Sequence, residues 1–186
     1  MTDSAGRCGR VPAMTNPILA DAFGHHTWAT LVLLDACASL SDEQLATTVP
    51  GTFGSLIGTL RHTVAADVGY LELFAPGDVP SIDEEDALTV AELRSTMAAC
   101  GEAWERVVAR DLDGAELITR HRADGSTSTA PLSIRIVQAI HHGTDHRSQV
   151  CTALTALGIE PPEIDVWAYA WKDDRLSETE PTTPVA

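Results

Sequence analysis

Residues 131–158 read PLSIRIVQAIHHGTDHRSQVCTALTALG, and this long helical pattern is the starting point for predicting the fold. The pattern opens at Pro131 and continues to about Leu157, where Gly158 is a typical helix stop. The centre of the segment is rich in imidazoles. Three of the chain's seven histidines fall within six positions there, at His141, His142 and His146.

Other helices are predicted on both sides of this segment. Asn16 followed by Pro17 is an N-cap and N1 pair, and Thr89 with Glu92 forms a capping box. A short helical piece is expected after the turn at Ser41. The patterns predict long helices over about 16–40, 55–74, 90–110 and 131–157, and a shorter one that follows Pro161-Pro162 and continues through Trp171.

The segment from Glu116 to Ala130 has a different character, with β-branched residues on both sides of an Asp124-Gly125 turn. This is a hairpin signal, although a short one. Four long helices in one small domain imply a bundle, whose interior is where binding sites are built. The predicted fold is therefore all-α: a four-helix bundle with a short fifth helix and a small β-hairpin insertion. Residues 16–174 are expected to form this domain, after a flexible leader at 1–15 and before a disordered polar tail at 175–186.

Composition and charge exclude several functional classes. The formal net charge is -15 and the pI is near 4.6, so the chain repels the phosphate backbone of nucleic acids and gives no basic stripe. An anionic membrane surface is disfavoured for the same reason. No apolar run approaches the roughly 18 to 20 residues that a membrane-spanning helix needs. A small-molecule substrate is the expected partner, with no nucleic acid and no membrane.

The four cysteines are scattered and form no CxxC pair. Three of them lie within helical patterns, where buried, reduced thiols are the simplest interpretation. Neither a zinc ribbon nor a disulfide framework is predicted. The N-terminal segment lacks the apolar region of a signal peptide, so a cytoplasmic location is expected.

His142 and His146 are four residues apart, so on a helix their side chains lie one turn apart on one face. This spacing allows two imidazoles to hold one metal ion. No glutamate follows His142, so the segment is not the metalloprotease HExxH, where the glutamate is the general base. By itself the pair is a moderate signal that also arises by chance.

His62 is the candidate for a third ligand. It lies opposite the main apolar face of the 55–74 helix, on a strip of small or apolar residues that carries no charge. Such a strip suits a close helix–helix approach with the imidazole directed into a crevice. From the strip alone, however, a core histidine bonded to backbone is the favoured interpretation. The strip consists of Gly58, His62, Ala66, Gly69 and Leu73.

At this point the chain resembles the DinB/YfiT-like metalloenzyme superfamily. Residues 50–71, PGTFGSLIGTLRHTVAADVGYL, and residues 141–150, HHGTDHRSQV, carry the resemblance, and residues 23–45, FGHHTWATLVLLDACASLSDEQL, fit the family's first helix. The likeness covers about 16–171. Its motifs are specific in combination: a histidine in the second long helix, then His-x3-His-Arg-x-Gln in the fourth. The resemblance implies a helical bundle, often dimeric, that binds a divalent metal through three histidines.

Carried over to this chain, the ligands are His62, His142 and His146, while His141 falls at a position that is not a family ligand. Three imidazoles leave coordination positions open, as expected of a catalytic rather than a closed structural site. Imidazole ligands bind several divalent metals, so the ligand type alone does not identify the metal. Zinc is the first expectation, with nickel, iron or manganese as alternatives.

The neighbours of these ligands each allow two roles. Asp145, where many relatives have a histidine, could orient a ligand imidazole or could be a solvated helix charge. His26, or its neighbour His25, could face the cleft as an acid–base group, or have an ordinary exposed or capping role. Arg147 is expected to serve the bundle or a dimer contact rather than catalysis, and His121 in the hairpin is expected at the surface.

The resemblance implies a metal-dependent enzyme, and thiol S-transferase chemistry with a low-molecular-weight thiol such as mycothiol is the leading hypothesis. A metal-dependent hydrolase and a non-catalytic, metal-binding stress-response homodimer are the alternatives. A concave lining beside an open metal position would favour catalysis, whereas a fourth protein ligand would favour a structural role. A carboxylate-bridged di-iron site is excluded, because it needs Glu-x-x-His on paired helices and the sequence contains none.

Overall fold

The computed structural model describes residues 16–83 and 85–179. The leader expected at 1–15 and the end of the tail at 180–186 lie outside the described residues. Within them the chain forms six helices and one two-stranded antiparallel sheet, which confirms the predicted helical fold with its hairpin. The elements are α1 (Pro17–Cys37), α2 (Asp42–Leu45), α3 (Leu56–Phe74), α4 (Val90–Val108), β1 (Leu117–His121), β2 (Thr127–Pro131), α5 (Leu132–Ala156) and α6 (Val166–Lys172).

The four long helices pack in a ring, in which each contacts two others: α1 with α4, α4 with α3, α3 with α5, and α5 with α1. Their apolar faces share one core. Trp104 of α4 is its largest fully buried side chain and stacks on Phe23 of α1 with ring centroids 4.2 Å apart. Because α3 and α5 are neighbours, residues 80 positions apart in sequence meet between them.

Local signals explain where the helices begin. Asn16 caps α1 by accepting from the N–H groups of Ile18 and Leu19, and the Thr89–Glu92 capping box at α4 is complete. The predicted bounds were close, except at two places. α1 ends at Cys37, before the predicted 40, and the last helix starts at Val166 with Asp165 as its cap, several residues after the two prolines.

The hairpin is joined closely to α5. Its turn contains Gly125 at a φ of 81°, a conformation that glycine adopts without strain. The N-terminus of α5 has no side-chain cap. Carbonyls just before β1 replace it: Glu116 accepts from the N–H of Leu132 at 2.7 Å, and Gly114 from that of Ser133 at 3.1 Å. Arg135 of α5 donates to the Ile118 and Ser128 carbonyls of the two strands, so the hairpin is anchored to the histidine-bearing helix.

The tail expected to be disordered from 175 begins with an anchored residue, since Arg175 pairs with Asp21 of α1 at 2.6 Å. Among the described residues, no helix is long and apolar enough to cross a bilayer.

Candidate metal centre

The structure brings the three predicted histidines together between α3 and α5. One nitrogen from each of His62, His142 and His146 lies within 4.8 Å of the others, and the Nε2 atoms of His62 and His142 are 3.0 Å apart. All three side chains are partly or largely buried, His146 being 9% exposed. No other histidine, cysteine or acidic residue of the described ranges completes a group of this kind.

The donor set fits a divalent metal. Two imidazole nitrogens bound to one tetrahedral zinc lie about 3.3 Å apart, given bonds of about 2.0–2.1 Å. The 3.0 Å between the Nε2 atoms of His62 and His142 is close to that value, and His146 has a nitrogen within 4.8 Å of both, so the three rings lie near enough to hold one ion after side-chain adjustment. Burial, together with the neighbouring His146 and His62, lowers the pKa of His142 to about 4. At neutral pH this ring therefore has the lone pair that coordination requires.

Two residues outside the histidine group hold its rings in place. The Oε1 atom of Gln149 lies 3.0 Å from Nδ1 of His146 and accepts from the N–H of Phe53, also at 3.0 Å. Since Oε1 is an acceptor, His146 donates through Nδ1, so this tautomer carries the lone pair on Nε2, the form in which an imidazole binds a metal. Phe53 stacks on His62 with centroids 3.8 Å apart and an interplanar angle of 18°. The loop before α3 and the helix α5 thus fix the ligand rings from two sides.

An open cleft of about 510 Å³ adjoins the histidines and includes His62 and His142 in its wall. The small residues of α3 predicted to face a crevice, Ala66 and Gly69, line it as expected. A helix does not approach Gly69, however. The side chain of Arg120 from β1 lies there instead, with Nη2 3.7 Å from the position of a Cβ added to Gly69. His121, although exposed as predicted, also lines this cleft.

A buried polar network lies behind the metal centre and joins α1, α3 and α5. The Asp67 carboxylate accepts from Nε2 of His26, with distances of 2.8 and 3.0 Å to its two oxygens. On the other side of the ring, Nδ1 of His26 accepts from Nη1 of Arg147 at 3.2 Å. Because a guanidinium can only donate, this arrangement specifies the tautomer of His26 with its proton on Nε2. Both partners and the ring itself are almost fully buried.

This network corrects the expectation that His26 faces the cleft as an acid–base group. The ring is 1% exposed and both its nitrogens are engaged within the core. Its neighbour His25 does not reach the cleft either: its Nε2 donates to the Ile164 carbonyl at 2.8 Å, beside α6. Burial lowers the pKa of His25.

The remaining residues of the histidine segment lie on other faces of α5, outside the three-histidine group. Asp145 is exposed, and within the described part of the chain its carboxylate forms no hydrogen bond or ion pair, so an orienting role through contact with a ligand is not seen. His141 is exposed and outside the histidine group. Arg147 serves the bundle, as expected, by donating to Thr30 and to the His26 carbonyl. It is buried, which excludes it from a dimer surface.

Sequence reasoning missed three contributors to this region: Phe53, Asp67 and Arg120. Gln149 belongs to the His-x3-His-Arg-x-Gln motif and shares the helix face of His146, but its contact with that ring was not predicted. Of the three missed residues, only Asp67 had a usable signal. Asp67 is a charge among apolar positions of the buried face of α3, which indicates a paired carboxylate. Phe53 and Arg120 come from a loop and a strand whose approach to α3 no local pattern reveals.

Comparison with known proteins agrees with this architecture. The family model described as "DinB family" matches residues 14–181. Among solved structures, a DinB-like protein from Bacillus cereus ATCC 10987 shares 17% identity and has a TM-score of 0.63, with 81% of this chain and 98% of that chain covered. That likeness shows the fold. No curated protein matches the chain. With a three-histidine group between two helices of such a bundle and a family match over nearly its whole length, this chain belongs to the DinB family.

Proposed function

We propose that this protein is a divalent-metal-dependent enzyme that transfers a low-molecular-weight thiol to an electrophilic small molecule. The observation that carries the proposal is the three-histidine group at the wall of an open cleft. Three protein ligands, without a fourth among the described residues, are typical of a catalytic rather than a structural metal site. Zinc is the proposed metal, since three imidazoles suit it well.

When bound, the metal would supply Lewis acidity and lower the pKa of a thiol or water beside it. The chain's own residues supply positioning. Gln149 orients His146, Phe53 fixes the plane of His62, and the cleft floor of small residues admits a ligand beside the histidines. In the proposed reaction a sulfur–carbon bond forms as the bond to the leaving group breaks, and the thiol proton passes to solvent.

The three cysteines of the described residues, Cys37, Cys100 and Cys151, support a thiol brought in from outside. Burial raises the pKa of Cys37 to about 12 and also raises the pKa values of Cys100 and Cys151. Thiols of this kind are poor nucleophiles at neutral pH. The nucleophile is therefore proposed to be a small thiol such as mycothiol, in a reducing compartment such as the cytoplasm. A homodimer, expected from the resemblance, belongs to the same proposal.

The metal site is tested by elemental analysis of protein purified without a histidine tag. We expect about one divalent ion per chain in the wild type, and none in the double variant His142→Ala/His146→Ala. His141→Ala is the matched control, because it removes an adjacent imidazole outside the group. Full metal content in the double variant would show that the three-histidine group is not the metal site.

The reaction is tested by a screen of mycothiol, bacillithiol, glutathione and coenzyme A with 1-chloro-2,4-dinitrobenzene as the electrophile. We expect metal-dependent release of chloride with at least one thiol, and loss of this activity in the double variant. Hydrolysis of ester substrates without any thiol would favour the hydrolase alternative. Metal binding without either activity would favour a non-catalytic role.

A further inference from the structure

The wall of the cleft contains a cation that the fold does not use. In the described part of the chain every arginine except Arg120 has a partner. Three form ion pairs, and five donate to oxygens of the backbone or of uncharged side chains: in the first group Arg94, Arg106 and Arg175, in the second Arg61, Arg110, Arg122, Arg135 and Arg147. Arg120 forms no hydrogen bond or ion pair with any described residue.

The strand fixes the backbone of Arg120, whose side chain is exposed. β1 pairs with β2 along its whole length, with Arg120 opposite Ser128. Arg135 anchors both strands to α5 through their carbonyls. The guanidinium lies over Gly69, with Nη2 in ordinary contact distance, 3.7 Å, of a Cβ added there, and it shares the cleft wall with His62 and His142. A side chain at position 69 would narrow this space.

We propose that Arg120 binds an anionic group, a carboxylate above all, on the substrate that reacts at the three-histidine centre. The proposal rests on the proposed function in taking this cleft as the substrate cleft. An arginine fork matches a carboxylate in a bidentate manner. His62 and Gly69 are seven residues apart on α3, so the anionic group would lie roughly 10 Å along the helix from the histidine centre. The substrate class is therefore a small organic acid with its reactive atom at the far end from the carboxylate.

Because the charges around Arg120 are negative, Arg120 determines whether this cleft binds an anion. The whole chain carries a net charge of -15, which repels anions at long range. Glu72 and Asp83 also line the cleft, and Glu72 accepts from the N–H of Gly77 at 3.3 Å. Arg120 supplies the one guanidinium that the described residues place in this cleft wall, so an anion entering the cleft depends on it. Removing that charge should abolish the preference for acids over their neutral analogues.

The first test uses the metal-free chain and hexanoate as the probe, with hexanamide as its neutral analogue. We expect hexanoate at constant ionic strength to shift the NMR signals of the Gly69 amide and of the Arg120 side-chain N–H, and hexanamide to leave them in place. Arg120→Met keeps the alkyl stem and loses the charge, so its affinity for hexanoate should be about tenfold lower. Arg120→Lys should retain part of it.

Arg122→Met is the matched control. It removes a cation two residues away on the same hairpin, outside the cleft wall, and should bind hexanoate like the wild type. Equal affinity of the Arg120→Met variant and the wild type would overturn the proposal, as would the absence of any hexanoate shift at Gly69. An equal loss in Arg122→Met would overturn it too, since the effect would then be one of net charge.

A second test with the metal-loaded protein identifies which reactant carries the acid. One arm compares 6-mercaptohexanoate with 6-mercaptohexanol as the thiol, and the other compares 4-(bromomethyl)benzoate with its amide as the electrophile. We expect kcat/KM in one arm to favour the acid about tenfold in the wild type, and this preference to vanish in Arg120→Met. If the wild type binds no metal or transfers no thiol, the proposed function is wrong, and the hexanoate experiment still tests Arg120 independently. Thiol transfer without any acid preference in either arm would defeat the assignment of Arg120 alone.

Discussion

The imidazole of His142 lies half-buried between His62 and His146, where a proton on its ring would face two other imidazoles in a partly desolvated setting. Asp67 and Asp145 act in the opposite direction, but the carboxylates do not outweigh burial and the two rings. The pKa of His142 falls to about 4 from the ordinary 6.5. Its lone pair is therefore available to a metal across the physiological range.

This lowered pKa has a consequence for the metal-free protein. As the pH falls, the unfolded chain takes up the His142 proton near 6.5, whereas the folded chain takes it up only near 4. Between these values the unfolded state binds more protons, so His142 lowers the free energy of unfolding as the pH falls, and it has no such effect above about 7. In His142→Gln the decline between pH 6.5 and 4 should be shallower, as measured by urea denaturation of metal-free protein. Parallel curves for variant and wild type would contradict the lowered pKa.

At the residue scale, the sequence identified the histidines that meet but not the residues that hold them. The i, i+4 spacing of His142 and His146 is a local property of a helix, and so it could be read directly. The uncharged strip around His62 indicated a crevice but not a ligand, and His62 was assigned as a ligand from the family resemblance. The engagement of both nitrogens of His26 depends on Asp67 and Arg147, which lie 41 and 121 positions away. A local pattern contains no information on such a distant pairing.

Among the elements, α1 and α5 approach closely where Gly143 faces His26. A Cβ at position 143 would overlap Cε1 of His26 and lie 2.8 Å from Nδ1 of that ring and 2.9 Å from Nη1 of Arg147. These atoms belong to the buried network, so they cannot move away without breaking a hydrogen bond to a desolvated partner. The absence of a side chain at Gly143 thus allows the ligand helix to lie against the network.

Gly143→Ala tests this close approach. In a helix interior the change would ordinarily stabilise by about 1 kcal/mol, but overpacking here should lower the free energy of unfolding by about 1–3 kcal/mol. Gly69→Ala is the control in a second helix, since its nearest neighbour is an arginine terminus at an ordinary 3.7 Å; it should be neutral or stabilising. Urea denaturation of the metal-free variants measures both. If Gly143→Ala is more stable than the wild type, the hydrogen-bonded network around His26 can rearrange at little cost, and the contact between Gly143 and His26 does not constrain the position of α5.

The elements themselves were largely predictable, because capping boxes, N-caps and the Asp124-Gly125 turn are local signals. The start of α5 was placed correctly, but its cap was not foreseen. Its first N–H groups are satisfied by the carbonyls of Gly114 and Glu116, which come from the chain before the hairpin. How the hairpin lies against the cleft depends on this tertiary capping and on Arg135, and neither has a sequence signature of its own.

On the scale of the whole molecule, the metal centre would act as a cross-link in the bundle. Its ligands come from α3 and α5, which are separated by α4 and the hairpin along the chain. A metal that binds the folded state alone stabilises it by mass action. The strongly acidic chain also attracts any divalent cation nonspecifically, so a gain in stability must be shown to depend on the imidazoles and not on the net charge.

Zinc at a free concentration of about 100 times its Kd should therefore raise the free energy of unfolding by about 2.7 kcal/mol. For a chain of this size that corresponds to a rise in Tm of about 5–10 °C. Magnesium at the same concentration should give a much smaller shift, because it prefers oxygen ligands in octahedral geometry and binds imidazole poorly. Calorimetry of the metal-free protein with each ion measures the difference. His141→Ala should keep the zinc shift, and His142→Ala/His146→Ala should lose it. Equal shifts with zinc and magnesium would mean that the acidic surface, not the three-histidine centre, binds the stabilising ion. A zinc shift that survives in the double variant would mean the same.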